Sequence, residues 1–279
     1  MNLKLLFHEL VTGNPMTIEI IRFRRKYLSW QGPSAQSSAL LGLFLIVYAG
    51  VLLIVINARS FLPPQSIVSF MLALFVILVP AMLYGAIAGE RERRSWDLLL
   101  VAPVSKAQIV MGKFLAASSG IGVVVGLMLV PIGFAAVTYA RTDYPVLLMA
   151  ILVCLSFSLL IAALTLFFSA RVKRPFMALG AVMGSEIVGM VVLPTLLSAG
   201  GMGQDFVVRF IQTFHPFMLI EEMHRANLPS STDMLLPLGL LGPPQIFAYL
   251  FLTLFFLGWT ERTLSFADNE VGFLPKKKL

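Results

Sequence analysis

The chain has 279 residues, of which 58% are hydrophobic and only 13% are charged. About a quarter of the residues in an ordinary soluble domain are charged, so this composition excludes a soluble globular enzyme. The net charge is +7, and the single cysteine excludes a disulfide within the chain. We therefore expect residues 1–279 to form a single all-α domain that crosses a membrane several times.

Segment 14–31 has the pattern of an amphipathic helix. Asn14 is a suitable N-cap, and Pro15 suits the first helical position. An apolar stripe then follows at helical spacing and consists of Met16, Ile20, Phe23, Tyr27 and Trp30. A basic helix with such a stripe is expected to lie in the membrane interface. It would serve either as a plain anchor or in docking a cytoplasmic partner.

Six apolar runs are candidates for helices that cross a hydrocarbon core of about 30 Å. They occupy residues 38–56, 67–88, 114–138, 146–169, 176–199 and 245–259. None shows the alternation of apolar and polar residues that is typical of a membrane barrel strand. Helices are therefore the expected spanning form, because lipid leaves an open strand without hydrogen-bond partners.

Basic residues are distributed unequally between the two sides of this six-span layout. Of the 21 lysines and arginines, 17 fall on the side that holds both termini. The remaining four are Arg59, Arg141, Arg209 and Arg225. The positive-inside rule then predicts a multi-pass protein of the inner (cell) membrane, in contact with its lipids and with both termini in the cytoplasm. The basic residues form no single stripe, so the charge indicates no nucleic-acid partner.

The loop 90–113 between the second and third runs has the pattern of a helix, a break and a second helix. Ser95 can cap a short helix, with Asp97 near its positive N-terminal end. Pro103 ends that helix, and Ser105 with Gln108 forms a capping box for the next one.

The short helix of this loop combines large apolar side chains with a rim of charge. Its apolar residues include Trp96, Leu98 and Leu99. The charged residues beside them include Glu90, Glu92 and Arg94. Such a cluster is typical of a protein interface, and insertion into lipid is the alternative.

Spaced residues continue along the loop into the following helix: Glu90, Glu92, Ser95, Asp97, Leu98, Leu99, Pro103, Ser105, Ile109, Gly112 and Lys113. Together they resemble the first cytoplasmic loop of type-2 ATP-binding-cassette permeases, the membrane subunits of many exporters. The resemblance implies that this loop couples to a separate cytoplasmic ATPase. Arg94 stands where the family often has glycine, and Trp96 where it often has leucine, which leaves the subfamily and the substrate open.

The fifth run contains an acid near its middle, Glu186. An acid at this depth costs a few kcal/mol unless it is protonated, paired or hydrated, so Glu186 is expected to face the protein interior. Ser185 is adjacent, and Gly180 with Gly184 would allow close helix packing. These four residues are candidates for the translocation path or for a dimer seam, which the resemblance places at the first and fifth spans. Glu186 would either hold neighbouring helices together as a protonated acid or contact substrate or water in the path.

The segment 200–242 is too long for a simple turn and is interrupted by prolines. After His215, the run PFMLIEEMHRA predicts a short helix. The resemblance implies that such helices cap the external end of the path, with an external gate formed by Phe214, Pro216, Phe217, Glu221 and Glu222. Glu221 and His224 share a helix face, but one such pair is weak evidence for zinc, and we expect no metal site.

The chain contains no phosphate-binding string of the form G-x-x-x-x-G-K-[ST]. We therefore expect no enzyme activity and no cofactor in this chain, with ATP and Mg bound by a partner ATPase. The favoured interpretation is the permease subunit of an ATP-driven exporter of an amphipathic, lipid-like or drug-like substrate, paired with itself or a homologue. The alternatives are an ion-coupled secondary carrier and a non-transporting mechanical module.

Overall fold

The computed structural model describes residues 8–18, 20–21, 35–58, 62–92, 104–139, 142–199, 214–226 and 242–270. All regular structure within these ranges is helical. The α-helices are α1 (Ala35–Ala58), α2 (Pro64–Leu83), α3 (Ala88–Glu92), α4 (Lys106–Thr138), α5 (Tyr144–Arg171), α6 (Pro175–Ile187), α7 (Leu193–Ala199), α8 (Pro216–Ala226) and α9 (Pro243–Glu270).

Several of these helices are long and apolar enough to cross a membrane. Five candidate spans occur in the described residues: Pro64–Glu92, Lys106–Thr138, Tyr144–Arg171, Pro175–Leu196 and Pro243–Leu264. In α1, the described apolar stretch Phe44–Asn57 is shorter than these five. The predicted all-α polytopic membrane fold is therefore confirmed, and the span at α1 stays a prediction.

Helix α5 lies at the centre of the bundle and packs against α2, α4, α6, α8 and α9. It buries several hydroxyl groups that bond to carbonyls of the preceding turn. Ser158 donates to Cys154, and Thr165 donates to Ile161, each at 2.7 Å. Because these hydroxyls find acceptors within their own helix, α5 can be buried without unsatisfied hydroxyl groups.

The second span bends where α2 ends and α3 begins. Pro80 lies inside α2 and removes one helical N–H donor. Beyond it, the Ser169 hydroxyl of α5 accepts hydrogen bonds from the Ile87 and Ala88 amides at 3.1 and 3.0 Å and donates to the Tyr84 carbonyl at 2.8 Å. One side chain of α5 thus satisfies the backbone groups at the bend.

Helix α4 begins at Lys106, two turns before the third span predicted at 114. Its start is the predicted capping box. The Ser105 amide donates to the Gln108 side chain at 2.9 Å, and the Gln108 amide donates to the Ser105 hydroxyl at 3.2 Å. The second part of the predicted loop 90–113 is therefore the beginning of a spanning helix.

The N-terminal segment is attached to this part of α4. Asn14 caps the 3₁₀ turn Pro15–Thr17, and its side chain accepts a hydrogen bond from the Met16 amide at 2.9 Å. Met16, the first residue of the predicted apolar stripe, is buried against Gly112 of α4. Phe23, Tyr27 and Trp30 of the stripe lie outside the described residues, so the interface helix over 14–31 stays a prediction.

The contact between Met16 and Gly112 leads to a stability prediction. A Cβ atom added at Gly112 would lie well inside contact distance of Met16 Cβ, whereas one added at Gly122 of the same helix would meet no atom of the described residues within 4 Å. We expect Gly112→Ala to lower the free energy of unfolding by about 1–3 kcal/mol, as overpacked sites do. Thermal unfolding in detergent measures the effect, with Gly122→Ala as the matched control. Equal stability of the two variants would contradict the contact.

Candidate functional site

Most of the predicted coupling residues lie between α3 and α4. Arg94, Ser95, Trp96, Asp97, Leu98, Leu99 and Pro103 are outside the described residues. Glu90 and Glu92 are described, and both belong to α3. The structure therefore shows how the two ends of the loop are attached to the bundle.

An ion pair joins the two ends of the loop. Lys113 Nζ of α4 lies 2.6 Å from Glu90 Oε1 of α3. The Lys113 side chain is only 5% exposed, and that of Glu90 is 26% exposed. A charge-assisted hydrogen bond of this kind is among the stronger polar contacts in proteins. Glu92, in contrast, is exposed.

The same end of the bundle is fixed to α5 and to the N-terminal segment. Arg91 Nη1 donates to the Ala170 carbonyl in the last turn of α5, where the helix dipole favours a cation. Asn14 Nδ2 donates to the Leu10 carbonyl at 3.0 Å and to the Gln108 carbonyl of α4 at 2.9 Å. We call the four connected segments the loop platform: residues 8–17, α3, the first two turns of α4 and the last turn of α5.

The fifth-span candidates fall on two different faces of α6. Glu186 is 7% exposed and lies with the buried residues Ala178 and Val182 at steps of four. Gly180 and Gly184 lie on an exposed face, and a Cβ atom at either would meet no described residue within 4 Å. At 3.6 residues per turn, positions two apart point roughly in opposite directions. The structure therefore separates the two glycines from Glu186.

Glu186 lines a cavity of about 290 Å³ between α5, the fifth span and the start of α8. Its walls include Phe157 and Leu160 of α5, together with Phe214 and His215. Within the described part of the chain, neither carboxyl oxygen of Glu186 has a hydrogen-bond partner. The adjacent Ser185 hydroxyl donates to the Val182 carbonyl of its own helix at 2.7 Å.

A widened turn of helix forms one wall of this cavity. Residues Val188–Val192 are π-helical, and the Leu193 amide bonds to the Val188 carbonyl. Gly189 and Met190 of this turn line the cavity. Single π-helical turns occur frequently at functional sites because they redirect side chains and carbonyls. No periodicity in the sequence indicated this turn.

His215 connects the widened turn to the external segment. Its Nε2 donates to the Met190 carbonyl at 3.0 Å, and its Nδ1 accepts from the Met218 amide at 3.3 Å. Burial lowers the pKa of His215, which the hydrogen bond to Met190 opposes in part. The imidazole is therefore neutral at pH 7, with its proton on Nε2. The set of gate residues predicted from the sequence did not include His215.

The predicted external helix is present as α8, over the run PFMLIEEMHRA. It buries Leu219, Ile220 and Met223 against the bundle. Of the predicted gate residues, Phe214 and Pro216 line the cavity, Phe217 is half-buried, Glu222 is half-buried and Glu221 is exposed. The Tyr249 hydroxyl of α9 donates to the Phe214 carbonyl at 2.7 Å. Among the described residues, no cluster of three His, Cys, Asp or Glu could hold a metal ion.

Comparison with known families identifies the family of this chain. The family described as ABC-2 family transporter protein matches residues 56–259, which is most of the chain. The chain belongs to this family. A search of curated proteins found no match to the chain. An ABC-2 chain is the membrane permease component of an ATP-binding-cassette transporter and works with an ATP-binding-cassette partner. The matched region covers the loop and both sides of the cavity, but not residues 8–17.

Proposed function

We propose that this ABC-2 chain is the permease subunit of an ATP-driven exporter, coupled through the loop 90–113 to separate cytoplasmic ATPase subunits that bind ATP and Mg. The observation that carries the proposal is the loop platform. A loop that transmits displacement needs both of its ends fixed to the spans. The pair between Glu90 and Lys113 provides that attachment, because it links the helix entering the loop to the helix leaving it.

The platform also determines which helices move together. Arg91 attaches α3 to the end of α5, and Asn14 attaches the N-terminal segment to α4. Displacement of the loop therefore shifts α3, α4 and α5 as one packed unit. Rigid-body rocking of such units is a common way to alternate access to a central path.

The remaining features of the proposal follow from the sequence and from family membership. Both termini lie in the cytoplasm, the chain sits in the inner membrane among its lipids, and the cargo is amphipathic, lipid-like or drug-like. A secondary carrier that works alone usually has inverted repeats and several intramembrane charges. A mechanical module would use the same ATPase contact without moving a substrate.

Affinity purification of the tagged chain from its native membrane tests the coupling. We expect an ATPase subunit with a phosphate-binding loop to be retained in fixed stoichiometry. A carrier that works alone would purify without such a subunit. Recovery of the intact chain with no ATPase, under conditions that preserve other membrane complexes, would contradict the proposal.

We further propose that the chain pairs with itself or a homologue through the exposed glycine face of α6. The span that contains α6 is the least buried of the five described spans, so this face is available to a second chain. Gly180 and Gly184 would allow the two helices to approach closely. The carboxyl of Glu186 lies away from this seam.

The glycine face supports a prediction about assembly. We expect Gly184→Leu to lower the dimer association constant at least about tenfold, which corresponds to about 1.4 kcal/mol. Gly258→Leu in α9 is the matched control, because a Cβ atom there also meets none of the described residues within 4 Å. Mass measurement of the detergent-solubilised protein over a dilution series gives the dimer fraction. The same loss of dimer in both variants would contradict a seam at α6.

A further inference from the structure

The cavity beside Glu186 combines an apolar wall with one buried carboxyl group. Phe157, Leu160, Ile161 and Leu164 form the α5 side of the wall. Glu186 is the acidic residue in the lining, and no lysine or arginine lines the cavity in the described part of the chain. The site therefore has the composition of a small-molecule pocket, in which apolar surface supplies affinity and a single polar group fixes orientation.

The carboxyl of Glu186 lacks a compensating group among the described residues. It is 7% exposed, and its two oxygens accept no hydrogen bond from the described residues. Burying a carboxylate without a partner is costly, so the carboxyl favours an occupant that brings positive charge or a proton. The nearest hydroxyl in sequence, that of Ser185, is already donated to the Val182 carbonyl.

His215 cannot supply the missing charge. Both of its ring nitrogens are engaged, Nε2 with the Met190 carbonyl and Nδ1 with the Met218 amide. A protonated imidazole would have to give up the bond from the Met218 amide, because Nδ1 would then carry a hydrogen. The ring thus forms part of the cavity wall and does not act as a counter-ion.

We propose that this cavity binds a small amphipathic amine in its protonated form, with the ammonium on Glu186 and the apolar body against Phe157 and Phe214. The inference names the substrate class for the exporter and rests on that proposed function. The site lies within one chain, between α5 and the fifth span, and its occupation does not require ATP. Binding can therefore be measured separately from transport.

The hydrogen-bonding needs of the site distinguish between kinds of cation. Two oxygens without donors are satisfied by an ammonium that carries N–H groups. A quaternary ammonium supplies charge but no donor, so it would bind more weakly than a primary amine of the same apolar body.

The test uses the full chain in lipid nanodiscs and three probes that share one apolar body. These are 4-phenylbutylamine, its trimethylammonium derivative and 4-phenylbutanol. Titration calorimetry at pH 7, with subtraction of empty nanodiscs, measures binding without ATP. We expect the amine to bind at least about tenfold more tightly than the alcohol, with the trimethylammonium probe between them.

Variants assign the binding to the cavity. Glu186→Gln should weaken the amine at least about tenfold and leave the alcohol unchanged, and Leu160→Trp should block both probes by filling the cavity. Glu261→Gln, which changes an exposed acid on α9 that does not line the cavity, should have no effect. If Glu186→Gln does not fold, Leu160→Trp decides the question with the carboxyl intact.

Three results would overturn the inference. They are equal binding of amine and alcohol, full amine binding by Glu186→Gln, and full binding by Leu160→Trp. An exporter with a different substrate class would fail these binding tests while still retaining its ATPase subunit. An ion-coupled carrier would lack that subunit whatever it binds, and a mechanical module would retain the subunit but show no ATP-dependent uptake, so the two failures are distinguishable.

Discussion

Replacing Glu90 with methionine is expected to lower the free energy of unfolding by about 3 kcal/mol. The change leaves the Lys113 ammonium, which is 5% exposed, without its carboxylate at 2.6 Å. Removing one partner of a buried ion pair costs more than the pair itself contributes, because an uncompensated charge remains in a site that water cannot reach. Chemical unfolding of the detergent-solubilised chain measures the loss.

Three matched variants test this explanation. Lys113→Met should also lower the stability, because it removes the ammonium that pairs with Glu90 Oε1. The double variant Glu90→Met/Lys113→Met should recover most of the stability, since no charge is left buried. Glu92→Met, at an exposed position of the same helix, should remain within about 0.5 kcal/mol of the wild type. If Glu90→Met were as stable as Glu92→Met, the pair would not hold the platform together.

Replacing Trp96 with alanine is expected to weaken binding of the ATPase subunit by about thirtyfold, which corresponds to about 2 kcal/mol. The physical reason is that a large aromatic anchor among Leu98 and Leu99 would fill a groove of the partner, whereas the charged rim stays hydrated. The variant should insert into the membrane and retain the unfolding stability of the wild type. Titration of the purified ATPase onto nanodiscs that contain each variant gives the affinity.

The rim of the same loop supplies the control for the Trp96 prediction. Glu92→Ala should change the affinity by less than about 1 kcal/mol, as exposed charges at interfaces usually do. Normal binding by Trp96→Ala, together with normal ATP hydrolysis by the complex, would show that the aromatic cluster is not the contact. Dipping of these side chains into lipid would then be the better interpretation.

The features that the sequence predicted well depend on residues close together in the chain. The capping box of Ser105 with Gln108, the cap at Asn14 and the helix Pro216–Ala226 each arise from interactions within about one or two turns. Five of the six apolar runs likewise predicted candidate spans, because lipid permits few alternatives to a helix. Such local rules operate without knowledge of the tertiary structure.

The contacts that build the platform and the cavity could not be predicted in this way. Glu90 meets Lys113 across the whole loop, and Ser169 reaches a bend more than eighty positions earlier in the chain. The π-helical turn Val188–Val192 contains the Met190 carbonyl that accepts the hydrogen bond from His215, 25 positions later in the chain. These interactions depend on which helices become neighbours, and hydropathy alone does not determine that.

Glu186 shows how sequence proximity can mislead. The glycines at 180 and 184 precede it by a few positions, which suggested a common surface for all three residues. The helical rotation instead directs Glu186 toward α5 and leaves the two glycines exposed. Two roles follow from one helix: its exposed face suits a partner chain, and its buried face contributes to the cavity.

The energy source for transport by everted membrane vesicles tests the central claim most directly. The vesicles contain the chain with its ATPase subunit, and the probe is a fluorescent amphipathic amine. We expect uptake that requires ATP, continues when an ionophore has collapsed all ion gradients, and disappears when the phosphate-binding lysine of the ATPase is replaced. Uptake that proceeds without ATP and stops on addition of the ionophore would contradict the claim and identify the chain as an ion-coupled carrier.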